Sequence, residues 1–233
     1  GETSHQKRIS RGFAIASTPV TLEQYERFSK NYGRSLGAPY DRDRRLPAVG
    51  ISWFMAAAYC NWLSEQEGIE EEEWCFEITA KETRLKPDYL KRRGYRMPTE
   101  AEYEYCIRAG SGTSRFFGET EHLLPKYGWY QTNGQNKPWP VGMLKPNDLG
   151  LFDALGNAYG WCMDSYENDE PNGSTDDASD KTLVISREAS RVLRGGAFDV
   201  QPLALRSARR YYYDAPTLRG DDVAFRPART FIP

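Results

Sequence analysis

The 233-residue chain has little of what thiol and metal chemistry requires. It holds four cysteines, Cys60, Cys75, Cys106 and Cys162, and two histidines, His5 and His122. No Cys-x-x-Cys pair occurs, so neither a disulfide framework nor a zinc knuckle is expected, and a reducing, cytoplasmic setting is the default. Two histidines argue against a multi-histidine metal centre and leave a His-dependent triad unsupported. A dominant charge is also missing. Lys and Arg total 31 against 33 Asp and Glu, a net charge of -2. Neither nucleic acid nor an anionic membrane is expected as a partner on that balance. Long apolar runs are absent as well. The longest, Trp53 to Cys60, is far too short to cross a bilayer. The first residues, Gly1 to His5, lack both an apolar signal core and an initiating Met, so the chain is expected to be processed or cut from something longer.

What is present is an aromatic, turn-rich sequence. Aromatic residues make up 13% of it, and Gly and Pro contribute 20 and 14 residues. That is too aromatic for a disordered chain and points to an ordered domain with much surface loop. The whole of 1–233 is read as one domain.

Three helices are legible. Thr21 and Gln24 form a capping box ahead of Leu22, Tyr25 and Phe28, which recur on one face. A second helix starts at Ser52, runs through Trp53 to Leu63, and is stopped by Gly68; its alanine step implies close packing. Thr99 and Glu102 form another capping box, followed by Tyr103, Tyr105 and Ile107, with an end at Ala109-Gly110. Strands are expected at Ala14 to Ala16, Cys75 to Ile78, Arg191 to Arg194 and Val223 to Arg226. Glu70 to Glu73 is read as a solvated acidic face, and the acidic stretch 164–181 as a surface loop. Few helices among many short strands give an α+β class. Two short matches within that loop are read as coincidence: Glu170-Pro171-Asn172, a lectin-type sugar tripeptide, and Asn172-Gly173-Ser174, a glycosylation sequon.

Five segments in order carry a resemblance. They are Phe13 to Phe28, with Thr18-Pro19-Val20-Thr21; Pro47 to Leu63, with Ser52-Trp53 and Tyr59-Cys60-Asn61-Trp62; Tyr95 to Gly110, with Arg96-Met97-Pro98-Thr99-Glu100; Gly150 to Cys162, with Asp153, Gly156-Asn157 and Trp161; and Arg191 to Arg226, with Arg194-Gly195-Gly196, Arg206-Ser207-Ala208 and Phe225-Arg226. Together they resemble the formylglycine-generating enzyme, or sulfatase-modifying factor, family. The resemblance implies a C-type-lectin-like fold, and that fold hosts enzymes and binders alike.

The same resemblance carries an expectation about chemistry. The enzymes oxidise a substrate cysteine with copper held by two cysteine thiolates, the soft ligands that Cu(I) prefers. The family's spacing from the paired glycines puts those ligands at Val200 and Leu205 here. Neither side chain can bind copper, so the chain is expected not to be an enzyme of this type. The family's calcium site would use Asp153 and the carbonyls of Gly156 and Ala158, but Gly160 stands where a Glu is expected. At most weak calcium binding is implied there, and a loop folded without metal is the reading adopted. No cofactor is assigned.

Between the family's scaffold residues near the C-terminus lie Asp199, Val200, Ala204, Arg209, Tyr211, Tyr212, Tyr213, Leu218, Gly220, Asp221 and Asp222. Three successive tyrosines cannot face one way on a strand, so some are expected to be exposed. Tyrosine gives large contact area at low entropic cost, as in paratopes. The segment also resembles the variable region of diversity-generating retroelement proteins, which share this fold. There, mutagenesis at template adenines turns an AAC codon into Tyr, Asp, Gly, Leu, Arg, Val or Ala, which are the residue types at these positions. Residues 197–223 contain no Lys, Glu, Met or Trp although the chain has 9 Lys and 19 Glu; about three Lys or Glu are expected from average usage. The reading is a non-catalytic binder with a variable surface at 197–223 and a protein ligand. The alternatives are a divergent metal-dependent oxidase using Cys60, Cys106 or Cys162, and an accessory domain of a larger signalling protein.

Overall fold

A computed structural model describes residues 7–32, 43–166, 184–213 and 215–231. The tripeptide Glu170-Pro171-Asn172 and the sequon at Asn172 lie outside these residues. Both capping boxes form as read. Gln24 Oε1 accepts from the Thr21 amide and Thr21 Oγ1 from the Gln24 amide, opening α1, Leu22–Tyr32. Thr99 and Glu102 exchange the same pair of bonds at the start of α3, Glu100–Arg108. Each box satisfies amides that the first helical turn would leave unpaired. Ser52 caps α2, Trp53–Gln66, and Gly68 follows its end with a positive φ of 67°. In α3 the buried face is Tyr103, Cys106 and Ile107, while Tyr105 points outward at 56% exposure.

Helix α2 is buried on most sides, with Trp53, Ala56, Ala57, Tyr59, Cys60 and Trp62 in the main core. Tyr25 and Phe28 of α1 meet it there, Tyr25 stacking on Tyr59 and Phe28 lying against Trp62. The apolar spacing at the start of α1 thus buries one face of it against α2. Burying a large aromatic side chain stabilises by roughly 1.5–3 kcal/mol, and this core is dominated by such residues.

The strands are short. β1 (Gly12–Ile15) pairs antiparallel with β8 (Ala228–Phe231), and β2 (Phe76–Ile78) pairs with β3 (Thr83–Leu85). The sheet that matters most joins β4 (Tyr159–Ser165), β5 (Arg191–Arg194), β6 (Tyr211–Tyr213) and β7 (Val223–Ala224) in the order β6-β5-β4-β7. β4 and β7 run parallel, and the other pairs are antiparallel. Two indole bonds tie this sheet to α2: Trp53 Nε1 donates to the Cys162 carbonyl and Trp161 Nε1 to the Ile51 carbonyl. The α+β reading holds. The acidic loop read from residue 164 requires correction, because Asp164 and Ser165 belong to β4 and Asp164 is buried, accepting from the Glu100 amide at 2.6 Å. The strand expected at Val223 to Arg226 is confined to its first two residues.

Candidate functional site

The polar framework beneath the β4–β7 sheet is built from buried arginines. Arg194 of β5 is 1% exposed and pairs with Glu100 and Glu104 of α3. Glu100 also takes a two-pronged bond from Arg210, just before β6. A single carboxylate at the helix start therefore holds both β5 and the approach to β6. Arg226 is 1% exposed and donates to the carbonyls of Ala16, Ser17, Phe152 and Asp153. These groups fix the backbone on which the C-terminal loops stand.

β6 is the last strand of its sheet among the described residues, and its alternation divides the tyrosine triplet. Tyr211 stacks on Tyr159 of β4 with centroids 5.0 Å apart, and Tyr213 meets Trp161 edge-on at 5.9 Å. Tyr212 stacks instead on Tyr166 at 4.2 Å, and Arg210 lies over the far ring at 4.8 Å. Tyr211 and Tyr212 each remain 39% exposed, and Leu218 is 45% exposed. The expectation that some of the triplet is exposed is met, on a regular strand.

The remaining predicted residues fall into two groups. Asp199, Arg209, Tyr211, Tyr213, Asp221 and Asp222 lie together. Asp222, Asp199 and Arg209 all act electrostatically on the Tyr159 hydroxyl. Asp221 and Asp199 both act on Asp222. Burial is the main cause that raises the Asp222 carboxyl above the ordinary value, and these two carboxylates add to it against the bond from Tyr213. Asp199, Arg209 and Asp221 are exposed. Gly220 is packed into the cluster: a Cβ on it would lie 1.9 Å from the Tyr213 hydroxyl oxygen and 2.4 Å from Asp222 Oδ1.

Val200 and Ala204 belong to a different environment. The chain turns sharply through Gly195 and Gly196, both at positive φ (90° and 83°), a conformation open to glycine at little cost. Val200 then packs with Leu205, which is fully buried against Leu124 and Tyr130. The two positions where the resemblance implies copper thiolates are thus part of an apolar cluster. Ala204 sits in the short turn between them, half-buried. The four cysteines are buried elsewhere and unpaired with one another. Burial raises the Cys60 and Cys162 thiols well above the ordinary value and pushes Cys75 and Cys106 up to about 12. Such thiols are held protonated at neutral pH and are poor metal ligands and nucleophiles.

At the loop where the family carries calcium, protein donors occupy Asp153. Its Oδ2 accepts from the Gly142 amide at 2.8 Å and its Oδ1 from Asn157 Nδ2 at 3.3 Å. The Gly156 carbonyl accepts from the Ala158 amide. Gly160 brings no carboxylate to this loop.

Sequence reasoning missed Tyr159, which sits at the centre of the cluster. It lies 38 residues before the segment 197–223. It enters the cluster only because its amide donates to the Asp222 backbone carbonyl at 2.9 Å and β5 carries β6 beside it. No local signal distinguishes it from any buried strand tyrosine.

The fold and its residues find matches among known proteins. Treponema denticola variable protein 1 is similar in structure, with a TM-score of 0.76 and 25% identity, covering 93% of this chain and 84% of that one. A formylglycine-generating enzyme of Streptomyces coelicolor is 28% identical over 235 residues, covering 85% of this chain and 71% of the enzyme. The serine/threonine-protein kinase Pkn1 of Chlamydia trachomatis is 26% identical over 86% of this chain, which spans 30% of the kinase's length. Proteins named as enzymes and a protein named as variable are therefore both similar to this chain. The profile described as "Sulfatase-modifying factor enzyme 1-like domain" matches residues 1–231, and the chain belongs to that family.

Proposed function

We propose that the chain is a non-catalytic binding domain. Its ligand surface is the cluster of Asp199, Arg209, Tyr211, Asp221 and Asp222, extended by Tyr212 on the other face of β6 and by the exposed Leu218, and its ligand is a protein. One observation carries this reading. The pair Val200 and Leu205, at the positions where the family's enzymes are expected to hold copper, is packed as apolar filling. Exposed tyrosines and charges stand on the strand and loops beside it. Aromatic and charged side chains on a rigid scaffold are the usual makings of a protein-binding hot spot. In its sharper form the chain is a retroelement variable protein, and its likeness to a variable protein of Treponema denticola supports that form.

The test is the DNA downstream of the gene. The expected result is a near-copy of the codons for 197–223, differing mainly at adenines, beside a reverse-transcriptase gene. Absence of such a copy overturns the variable-protein form and leaves a fixed ligand surface. The non-catalytic form has its own test. The protein loaded with Cu(I) is incubated with a cysteine-bearing sulfatase peptide, and aldehyde formation above the metal-free control overturns it.

A further inference from the structure

Tyr159 is the buried centre of the exposed cluster. It is 7% exposed, its ring backs Tyr211, and its hydroxyl makes no hydrogen bond with any described residue. The ring is enclosed while the hydroxyl oxygen keeps contact with solvent, open to an incoming donor. Around it stand Asp222 and Asp199, with Arg209 the opposing cation. Asp221 adds a third carboxylate next to Asp222. The other arginines nearby are engaged elsewhere. Arg219 donates to the Gly50 carbonyl, and Arg210 is bound to Glu100 on the opposite face of β6. One oxygen of Asp222 holds the Tyr213 hydroxyl at 2.7 Å. The cluster therefore joins the π-faces of stacked tyrosines to the Asp222 carboxyl, which burial and the neighbouring Asp199 and Asp221 make costly to keep charged.

We propose that the Tyr159–Tyr211 platform, rimmed by Asp199 and Asp222, receives a lysine or arginine side chain of the protein ligand. The proposal rests on the reading of this cluster as the ligand surface. A cation over a tyrosine face is attracted by the ring quadrupole, more strongly where water is excluded. The carboxylates supply the counter-charge, and the Tyr159 hydroxyl oxygen accepts a hydrogen bond from the incoming ammonium or guanidinium. Arg209, exposed at the rim, is the cation to be displaced. Against three carboxylates, its single charge leaves the rim negative.

The experiment uses the full chain with labelled tyrosine rings, followed by NMR. It is titrated with n-butylammonium, with n-butylguanidinium, and with n-butanol as the uncharged control. Saturable shifts at Tyr159 and Tyr211 are expected with the two cations only. Affinity should fall about tenfold in each of Asp199→Asn and Asp222→Asn, as for loss of one charge-assisted bond, and stay unchanged in Asp148→Asn, an exposed carboxylate outside the cluster. Equal shifts with butanol, no shift, or indifference to Asp199 and Asp222 overturns the proposal. A second arm selects binders from a displayed library of random peptides. Selected peptides rich in Lys or Arg, and weakened by Asp199→Asn, support it. Peptides that need Tyr211 and Tyr212 but no basic residue overturn the cationic ligand and leave the ligand surface standing. Peptides whose binding survives Ala at both tyrosines overturn the surface itself.

Discussion

The Tyr213 hydroxyl donates to Asp222 Oδ1 at 2.7 Å across the turn that contains Gly220, and the absence of a side chain at Gly220 is what allows it. A methyl there would occupy the hydroxyl's position. The three residues form one unit, so the C-terminal surface is not a set of independent positions.

Gly220→Ala is therefore expected to break the Tyr213–Asp222 bond and to destabilise by roughly 1–3 kcal/mol, the usual cost of overpacking. In a Tyr213→Phe background the hydroxyl that clashes is gone, and the added cost of Gly220→Ala should shrink. Urea unfolding of the two single variants and the double variant measures the coupling. Additive costs would mean that Gly220 acts alone.

Acid sensitivity should centre on Glu102. It is buried, caps α3 through the Thr99 amide, and pairs with Arg96 and Arg11. Burial alone would raise its carboxyl, but Arg96 first and then Arg11 hold it below the ordinary 4.5. A carboxylate depressed in the folded state contributes stability above its unfolded value and loses it as pH falls through its folded value. Stability should thus decline below about pH 4.5 with Glu102 among its causes. Glu102→Gln should flatten that decline and cost about 3–5 kcal/mol at pH 7, because Arg96 is left buried without its counter-charge. Thermal unfolding across pH 3–7 checks both, and an unchanged acid limb would remove Glu102 from the account.

The helices were legible because their signals are local. Thr21 and Gln24, like Thr99 and Glu102, lie three residues apart, and the bonds they make depend on little else. β4 was not legible. Tyr159 to Met163 are all buried, so the strand lacks the alternation that marks a half-exposed one. β6 and β8 exist through pairing with distant strands, and three tyrosines carry no information about which strand will accept them. The candidate site was legible by composition: an unusual run of Tyr, Asp and Arg marked residues that the fold gathers beside β6. Its geometry was not. Tyr159 joins through pairing across the sheet, Val200 and Leu205 fall into the core, and the ion pair of Arg11 with Glu102 spans 91 residues.

The cysteines give a direct check on the core. All four are buried, and burial suppresses their thiolates. In the native protein, reaction with Ellman's reagent should be slow at every site, with four thiols released together in denaturant. Fast reaction of one thiol in the folded protein would identify an opening of the core that the packing of α2 and β4 does not foresee.

A last prediction concerns the turn beside Val200. Gln135 and Asn136 both adopt positive φ (55° and 52°) without being glycine. The turn is held by Trp139, whose indole donates to the Gly134 carbonyl at 2.9 Å and whose ring stacks on Trp129 at 4.5 Å. Its other side is fixed by the Gln131 amide, which donates to the Val200 carbonyl at 3.0 Å. The left-handed conformation costs an ordinary L-residue roughly 1–2 kcal/mol, and less for Asn, whose short side chain bonds locally. Glycine carries no such cost but loses more entropy on folding, which offsets part of the gain. Gln135→Gly should therefore stabilise the protein by about 0.5–1 kcal/mol, and Asn136→Gly by less. Trp139→Ala should remove the clamp and erase the benefit of Gln135→Gly. Denaturant midpoints of these three variants and of Gln135→Gly with Trp139→Ala decide the point. A destabilising Gln135→Gly would mean that the Gln135 side chain makes a contact worth more than the strain of its backbone.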